Sequence, residues 1–139
     1  MILEKTGTQS YPGIEYLPCG NGTEYKVGQC LKLASGVAAL ETAAPEYICF
    51  GEKTGATGEL IPAIRVSKED TYAAALSAAG TALKVGDKVT IAADGIRVTA
   101  TTSGGVAEIV GFATAAKAVG DLVYVKFYRG EIINARNYF

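Results

Sequence analysis

The sequence contains no histidine and no tryptophan. Histidine is the commonest general base near neutral pH and the commonest metal ligand, so its absence excludes serine and cysteine triads of the usual kind. The carboxylates are scattered, and Asp87, Asp94 and Asp121 each adjoin a glycine, as polar turn residues commonly do. We therefore predict no catalytic residue, no cofactor and no metal site, and a protein that is not an enzyme.

Charge of either sign is also scarce. The chain has 13 Lys and Arg against 14 Asp and Glu, giving a net charge of −1 without runs of one sign. Nucleic-acid-binding proteins and proteins that bind anionic membrane surfaces normally carry a basic face, so we expect neither partner. No stretch approaches the ~20 apolar residues that cross a bilayer. Glu4 and Lys5 stand where a signal peptide would have its apolar core, which favours synthesis in the cytoplasm without export.

The cysteines do not form a recognisable framework. Cys19, Cys30 and Cys49 are odd in number, and their spacing matches neither a zinc site nor a closed set of disulfides. A small apolar side chain of this kind is commonly buried. We expect three free, buried thiols.

What the sequence does contain is an internal repeat. Lys26-Val27-Gly28 aligns with Lys84-Val85-Gly86, and the apolar runs that follow align as well. Further glycines align in pairs, namely Gly36 with Gly95, Gly51 with Gly111, and Gly58 with Gly120. Two copies of one unit separated by small loop insertions give this pattern. We predict a first β repeat at residues 26–66 and a second at residues 84–139.

Each unit has the pattern of β-strands. Residues 88–92 and 96–100 alternate between apolar and polar side chains around Asp94-Gly95, and Ser35-Gly36 divides the corresponding strands of the first unit. Each unit ends in an apolar strand, at 60–66 or 122–128, although Pro62 argues against a central position for the first. The sequence predicts an all-β fold of two tandem barrel-like or sandwich-like units, which form two lobes or close together.

The connector between the units, residues 67–83, allows two interpretations. Ser67 to Asp70 resembles a helix start, and alanines follow it. An extended segment would instead point Tyr72, Ala74 and Leu76 to one side. Its position between strands favours the extended form.

Residues 1–25 precede the repeat as an N-terminal arm, in which Gly, Pro and Ser surround a few large apolar side chains. Such a segment docks on its own domain or reaches a neighbouring subunit as an added strand. The residues that we expect to contact a partner protein or a neighbouring subunit are Tyr11, Pro12, Ile14, Tyr16 and Leu17. At the other end of the chain, we expect residues 132–139 to form a last strand after a turn at residues 129–131.

The glycine turns and strand patterns of about residues 26–128 resemble those of capsid decoration (cement) and head-fibre-like proteins of tailed bacteriophages. The matching positions in the second unit are Val85-Gly86, Val89 to Ile91, Gly95-Ile96, Gly111 to Ala113 and Gly120 to Val125. Those in the first unit are Val27-Gly28, Gly36-Val37, Gly51 and Gly58 to Ile61. The presence of two units in one chain and of Pro62 departs from the family pattern.

This resemblance implies a non-enzymatic virion protein. It would bind the outer surface of the shell formed by the major capsid protein and stabilise that shell. Family members commonly occupy local threefold positions, so the resemblance favours a homo-oligomer, specifically a trimer, on the capsid surface.

A second class of function is a binding module for small ligands or carbohydrates. The chain has eight tyrosines, and aromatic rings can line a sugar site. This alternative predicts a β-barrel with a concave pocket lined by tyrosine side chains.

Overall fold

The computed structural model describes residues 1–5, 13–78, 83–113 and 118–128. These residues form strands joined by turns, which confirms the predicted all-β fold class. None of them lies in a helix that could span a bilayer. The strands are β1 (Ile2–Lys5), β2 (Ile14–Pro18), β3 (Glu24–Tyr25), β4 (Cys30–Ala34), β5 (Val37–Leu40), β6 (Tyr47–Cys49), β7 (Lys53–Thr54), β8 (Leu60–Arg65), β9 (Thr71–Ala75), β10 (Lys88–Ile91), β11 (Val98–Thr101), β12 (Ala107–Phe112) and β13 (Leu122–Phe127).

Two antiparallel sheets contain most of these strands. Sheet I has the order β2-β8-β6-β4-β5, and sheet II has the order β1-β9-β13-β12-β10-β11. Strands β3 and β7 form a separate two-stranded sheet. The sheets do not close into a barrel, so the architecture is sandwich-like.

The two sheets share one strand order. Reading across sheet I, its strands follow the same relative order along the chain as β9-β13-β12-β10-β11 of sheet II. The strand ends match as well, because Cys19 N–H donates to the Glu59 carbonyl and Leu76 N–H donates to the Asp121 carbonyl, both over 2.9 Å. Positions in the two sheets therefore correspond, while the duplication inferred from the sequence stays a prediction.

Each sheet includes a strand from outside the predicted repeats. Strand β9 lies in the predicted connector and confirms its extended form, with Tyr72, Ala74 and Leu76 all buried. Strand β2 lies in the predicted arm, but it pairs with β8 along its whole length. Residues 14–18 therefore belong to the protein's own sheet I. The last strand predicted for residues 132–139 lies outside the described residues.

The predicted glycine turns connect hairpins in both sheets. Strand β4 pairs with β5 around Ser35 and Gly36, whose φ angles are 51° and 79°. Strand β10 pairs with β11 around Asp94 and Gly95, and Gly95 has a φ of 74°. A positive φ suits glycine because it has no Cβ, which explains why these turns could be located from the sequence.

Pro62 lies in an internal strand, contrary to the expectation from its missing N–H. Strand β8 pairs with β2 on one side and with β6 on the other. The Pro62 carbonyl accepts a hydrogen bond from Phe50 N–H over 2.8 Å, so its nitrogen faces the point where β6 has already ended at Cys49. Gly51 leaves room for the ring, because a Cβ there would lie 2.9 Å from Pro62 Cδ. The missing N–H therefore falls just beyond the last paired residues of β6 and β8, where it does not interrupt the ladder.

The buried side chains form two clusters. The first lies within sheet I and its loops, and consists of Leu17, Cys19, Tyr25, Leu31, Ala38, Tyr47, Cys49, Ile61 and Ala63. The second belongs mostly to sheet II, but it also contains Met1, Cys30 and Ile48. Because Cys30 and Ile48 lie in sheet I, the second cluster extends to the side of sheet I that faces away from the first.

Met1 lies at the junction of the two sheets. Its amino group donates to the carbonyl oxygens of Gly28, over 2.8 Å, and Ile96, over 3.2 Å. Cys30 N–H adds a direct link by donating to the Gly95 carbonyl over 2.7 Å. Main-chain hydrogen bonds and a shared apolar cluster therefore join the two sheets.

Candidate interaction surface

One side of strands β2 and β8 presents apolar side chains to solvent. Cross-strand register places Ile14 opposite Ile64, Tyr16 opposite Pro62 and Pro18 opposite Leu60. Because side chains alternate between the two sides of a strand, these six residues share one side of sheet I. Phe50 lies beside them, since its N–H binds the Pro62 carbonyl. We call these seven residues the apolar face.

The opposite side of the same two strands is packed. Leu17, Ile61 and Ala63 belong to the first buried cluster. At the end of β8, on this same side, Arg65 binds both carboxylate oxygens of Glu15, over 3.0 and 3.1 Å, and donates to the Tyr47 hydroxyl over 2.7 Å. Core packing and this paired ion contact hold β2 in place, and they direct Ile14 and Tyr16 outward.

An apolar groove of about 220 Å³ continues from the apolar face. Its lining consists of Met1, Ile2, Leu3, Val27, Ile48, Cys49, Phe50 and Ile64. Phe50 and Ile64 therefore belong both to the face and to the groove. We call the face and groove together the apolar surface, and none of its side chains carries a charge.

The apolar surface is large for a chain of this size. Six of its large side chains each expose between 47% and 63% of their area, namely Ile2, Ile14, Tyr16, Val27, Phe50 and Leu60. At about 200 Å² for a fully exposed large side chain, they offer roughly 600–700 Å² together. The largest apolar patch of a typical monomer is about 300–600 Å² and is often functional. This surface is therefore the strongest candidate for a site of interaction.

The residues predicted as contacts divide into three groups. Tyr11 and Pro12 lie outside the described residues. Ile14 and Tyr16 lie on the apolar face, with exposed fractions of 50% and 63%. Leu17 points to the other side and is 4% exposed, so a partner could reach it only if β2 left the sheet. We therefore omit Leu17 from the candidate surface.

Sequence reasoning missed Phe50, Leu60 and the groove. The available signal was the run from Leu60 to Ile64, which is apolar at every position and so predicts a strand with two apolar sides. Such a run normally indicates burial on both sides. That one side is exposed depends on which other elements pack there, and the run itself does not specify this.

The thiols are free and buried, as predicted. Burial raises the pKa of Cys30 to about 12, and burial also raises the pKa of Cys49. A thiol is nucleophilic as its thiolate, so these two side chains are unreactive near neutral pH.

The turn carboxylates bind backbone amides, also as predicted. Asp87 accepts from Lys84 N–H and Asp121 accepts from Ala118 N–H, both over 2.7 Å. Within the described residues, no three His, Cys, Asp or Glu side chains come together in a group that could hold a metal ion.

Within the described part of the chain, the apolar groove is not the tyrosine-lined pocket of the alternative function. Tyr25, Tyr47 and Tyr72 are buried, Tyr16 lies on the apolar face, and the groove lining contains no tyrosine. The geometry thus offers an apolar surface for packing as its main feature. Compared with known proteins, the sequence matches no protein-family model and no curated protein.

Proposed function

We propose that this protein is a non-enzymatic virion protein of a tailed phage, which binds the outer surface of the capsid and stabilises the shell. The observation that carries the proposal is the apolar surface, with its roughly 600–700 Å² of exposed large side chains. Burying such an area in an assembly releases free energy in proportion to the area removed from water. The likeness of the glycine and strand pattern to decoration proteins supports the capsid as the setting.

The physical properties of the chain suit this role. The backbone around the apolar surface is β structure, and the interface backbone of such pre-organised partners commonly moves little on binding. A capsid presents the same binding position many times, so modest contacts add up when copies also contact each other. We propose the major capsid protein as the partner, and a homo-oligomer on the capsid, with the trimer as the arrangement that the resemblance implies.

The test is sedimentation of phage particles through a density gradient, followed by mass-spectrometric counting of this chain against the major capsid protein. We expect the chain to sediment with the heads in numbers similar to the shell protein. A few copies per particle would indicate a fibre or tail component instead. Recovery of the chain only in the soluble fraction would contradict the proposal.

A matched pair of variants tests the surface itself. Tyr16→Asp introduces a charge on the apolar face, whereas Val85→Asp introduces one at a residue that is 64% exposed in the other half of the chain. We expect Tyr16→Asp to lower the number of copies bound per particle and Val85→Asp to leave it unchanged. Equal binding of both variants would show that another part of the protein makes the contacts.

The apolar groove favours a second candidate function, binding of a small apolar ligand. Its volume of about 220 Å³ is below the roughly 300–1,000 Å³ of most ligand pockets, so it suits only a few apolar carbons. Titration with n-pentanol, followed by the NMR signals of the Ile48 and Leu3 methyl groups, tests this function. Saturable shifts that Ile48→Trp abolishes would support it, and linear shifts without saturation would end it.

A further inference from the structure

The apolar surface contains both a projecting side chain and a recess. Tyr16 on β2 is 63% exposed, the largest exposed fraction among the six side chains of the surface. The groove begins at Ile64, and the register places Ile64 next to Pro62, which is itself opposite Tyr16. The projection and the recess therefore lie on the same side of sheet I, separated by strand β8.

The groove has a suitable size for an aromatic side chain. It is about 220 Å³ in volume and apolar around its whole lining. A tyrosine ring can enter such a site while its hydroxyl stays at the wet rim, which is why tyrosine is enriched at protein interfaces. In the same chain, strand β8 lies between Tyr16 and the part of the groove that β6 lines.

The absence of charged side chains also allows a second copy of the same surface to be the partner. Every side chain of the apolar surface is uncharged, so two copies can face each other without like-charge repulsion. The nearest carboxylate on β2, Glu15, points to the other side, where Arg65 binds it. An extended charged partner would find no side chain of opposite charge within this surface.

The area agrees with what a stable pair requires. Standard protein interfaces bury about 800 Å² on each partner. The six large exposed side chains supply roughly 600–700 Å² of this, using about 200 Å² for each when fully exposed. The half-buried Pro62 and Ile64 and the exposed Pro18 add to that area.

We propose that two copies of this chain pack their apolar surfaces together about a twofold axis, with Tyr16 of each copy seated in the groove of the other. In such an isologous pair, one knob-and-groove contact is repeated by symmetry. The twofold pair differs from the threefold arrangement that the resemblance implies. The pair would form in the free protein and would use the surface that the proposed function assigns to the capsid, so the two contacts are alternatives for that surface. Measuring the mass of the purified chain tests the pair without the capsid.

The experiment is sedimentation-equilibrium centrifugation of the purified full-length chain over a range of concentrations. We expect a mass of twice 14.4 kDa for the unchanged protein. Tyr16→Asp should raise the dissociation constant about tenfold or more, because a charge would have to enter an apolar recess. Tyr16→Phe, which keeps the ring, and Val85→Asp, which lies in the other half of the chain, should both remain dimeric.

Disulfide cross-linking tests the register of the pair. Val27 lines the groove and is 49% exposed, while the native cysteines are all buried. When Tyr16→Cys and Val27→Cys copies are mixed under mild oxidation, we expect covalent dimers that contain one copy of each. Neither variant alone should cross-link, because each contact joins a Tyr16 position to a groove.

Several results would overturn the inference. A monomer at every concentration would show that no second copy occupies the surface. A trimer would support the threefold arrangement instead. A dimer that survives Tyr16→Asp, or the absence of mixed cross-links, would place the contact elsewhere on the molecule.

Discussion

Sheets I and II have the same strand order but differ at one corresponding strand. In sheet II, the outward positions of β9 are Thr71, Ala73 and Ala75, and β1 pairs with the edge of that strand. In sheet I, the corresponding positions of β2 are Ile14, Tyr16 and Pro18, and among the described residues no strand pairs with that edge. Small residues thus occupy the strand whose edge is paired with β1, and large apolar residues occupy the strand whose edge is unpaired among the described residues.

This difference helps to distinguish side chains that the fold requires from side chains that are available for contacts with other molecules. Sheet II forms with only Thr71, Ala73 and Ala75 at these positions, so the fold of a sheet with this strand order does not require large side chains there. Because Ile14 and Tyr16 are exposed, they contribute little to the stability of the isolated chain, which is consistent with the proposal that they contact another molecule.

The largest expected difference between the sheets is at Gly28 and Gly86, which occupy corresponding turns with φ angles of 88° and 97°. An alanine in this conformation costs about 1–2 kcal/mol at either position. At Gly28 a Cβ would also overlap the Met1 nitrogen and lie 2.8 Å from its carbonyl oxygen, whereas at Gly86 nothing lies within 4 Å. Displacing the buried Met1 side chain adds about 2 kcal/mol.

We therefore expect Gly28→Ala to lower the free energy of unfolding by about 2 kcal/mol more than Gly86→Ala does. Urea denaturation of both variants, followed by far-UV circular dichroism, measures this difference. Equal losses would mean that Met1 does not stabilise the junction between the sheets.

A smaller difference is expected at low pH, at the hairpin turns. Although burial raises the pKa of Asp94, hydrogen bonds from the Arg97 and Ile96 amides and from the Arg97 side chain outweigh it and lower that pKa from 3.8 to about 2. A carboxyl group with a lowered pKa stabilises the fold above its unfolded pKa, and this contribution is lost as the pH falls from about 4 to about 2. Ser35 occupies the corresponding turn of sheet I and does not titrate.

Comparison of the protein with its Asp94→Asn variant isolates this contribution. After allowance for solvent screening, we expect the unchanged protein to be more stable by about 1 kcal/mol at pH 6, and the difference to vanish near pH 2. Urea denaturation at a series of pH values measures it. A difference that does not depend on pH would assign the effect to hydrogen bonding alone.

The comparison also explains what the sequence could predict. The turns at Gly36 and Gly95 depend on local backbone preferences, and the alternation within β10 depends on neighbouring residues. Both can therefore be predicted from a short stretch of sequence. The strand β2 depends on pairing with β8, which is distant in the chain. Because both sides of β2 carry apolar residues, the pattern did not show whether Tyr16 or Leu17 faces the core.

The candidate surface was accessible from the sequence only in part. Ile14 and Tyr16 were identified because they are large side chains in a segment that lacked an evident core of its own. Phe50 and Leu60 come from two further segments, and only the tertiary fold brings them beside Tyr16. The groove is also lined by Met1 and by Ile2 of β1, which belongs to the other sheet, and no local pattern predicts that contact.

The smallest expected effect concerns the Ser35-Gly36 turn, where Ser35 has a φ of 51° without being a glycine. Two-residue hairpin turns with positive φ at both positions favour Asn-Gly, because asparagine tolerates the left-handed region better than serine does. We expect Ser35→Asn to stabilise the protein by about 0.5 kcal/mol, which corresponds to a rise in melting temperature of about 1–2 °C. Asp94→Asn is the contrasting variant, since Asp94 does not have a positive φ and its carboxylate stabilises its turn, so this variant should be less stable than the unchanged protein at pH 7. Differential scanning calorimetry at pH 7 measures both variants, and a gain at Asp94 equal to that at Ser35 would show that turn conformation is not its cause.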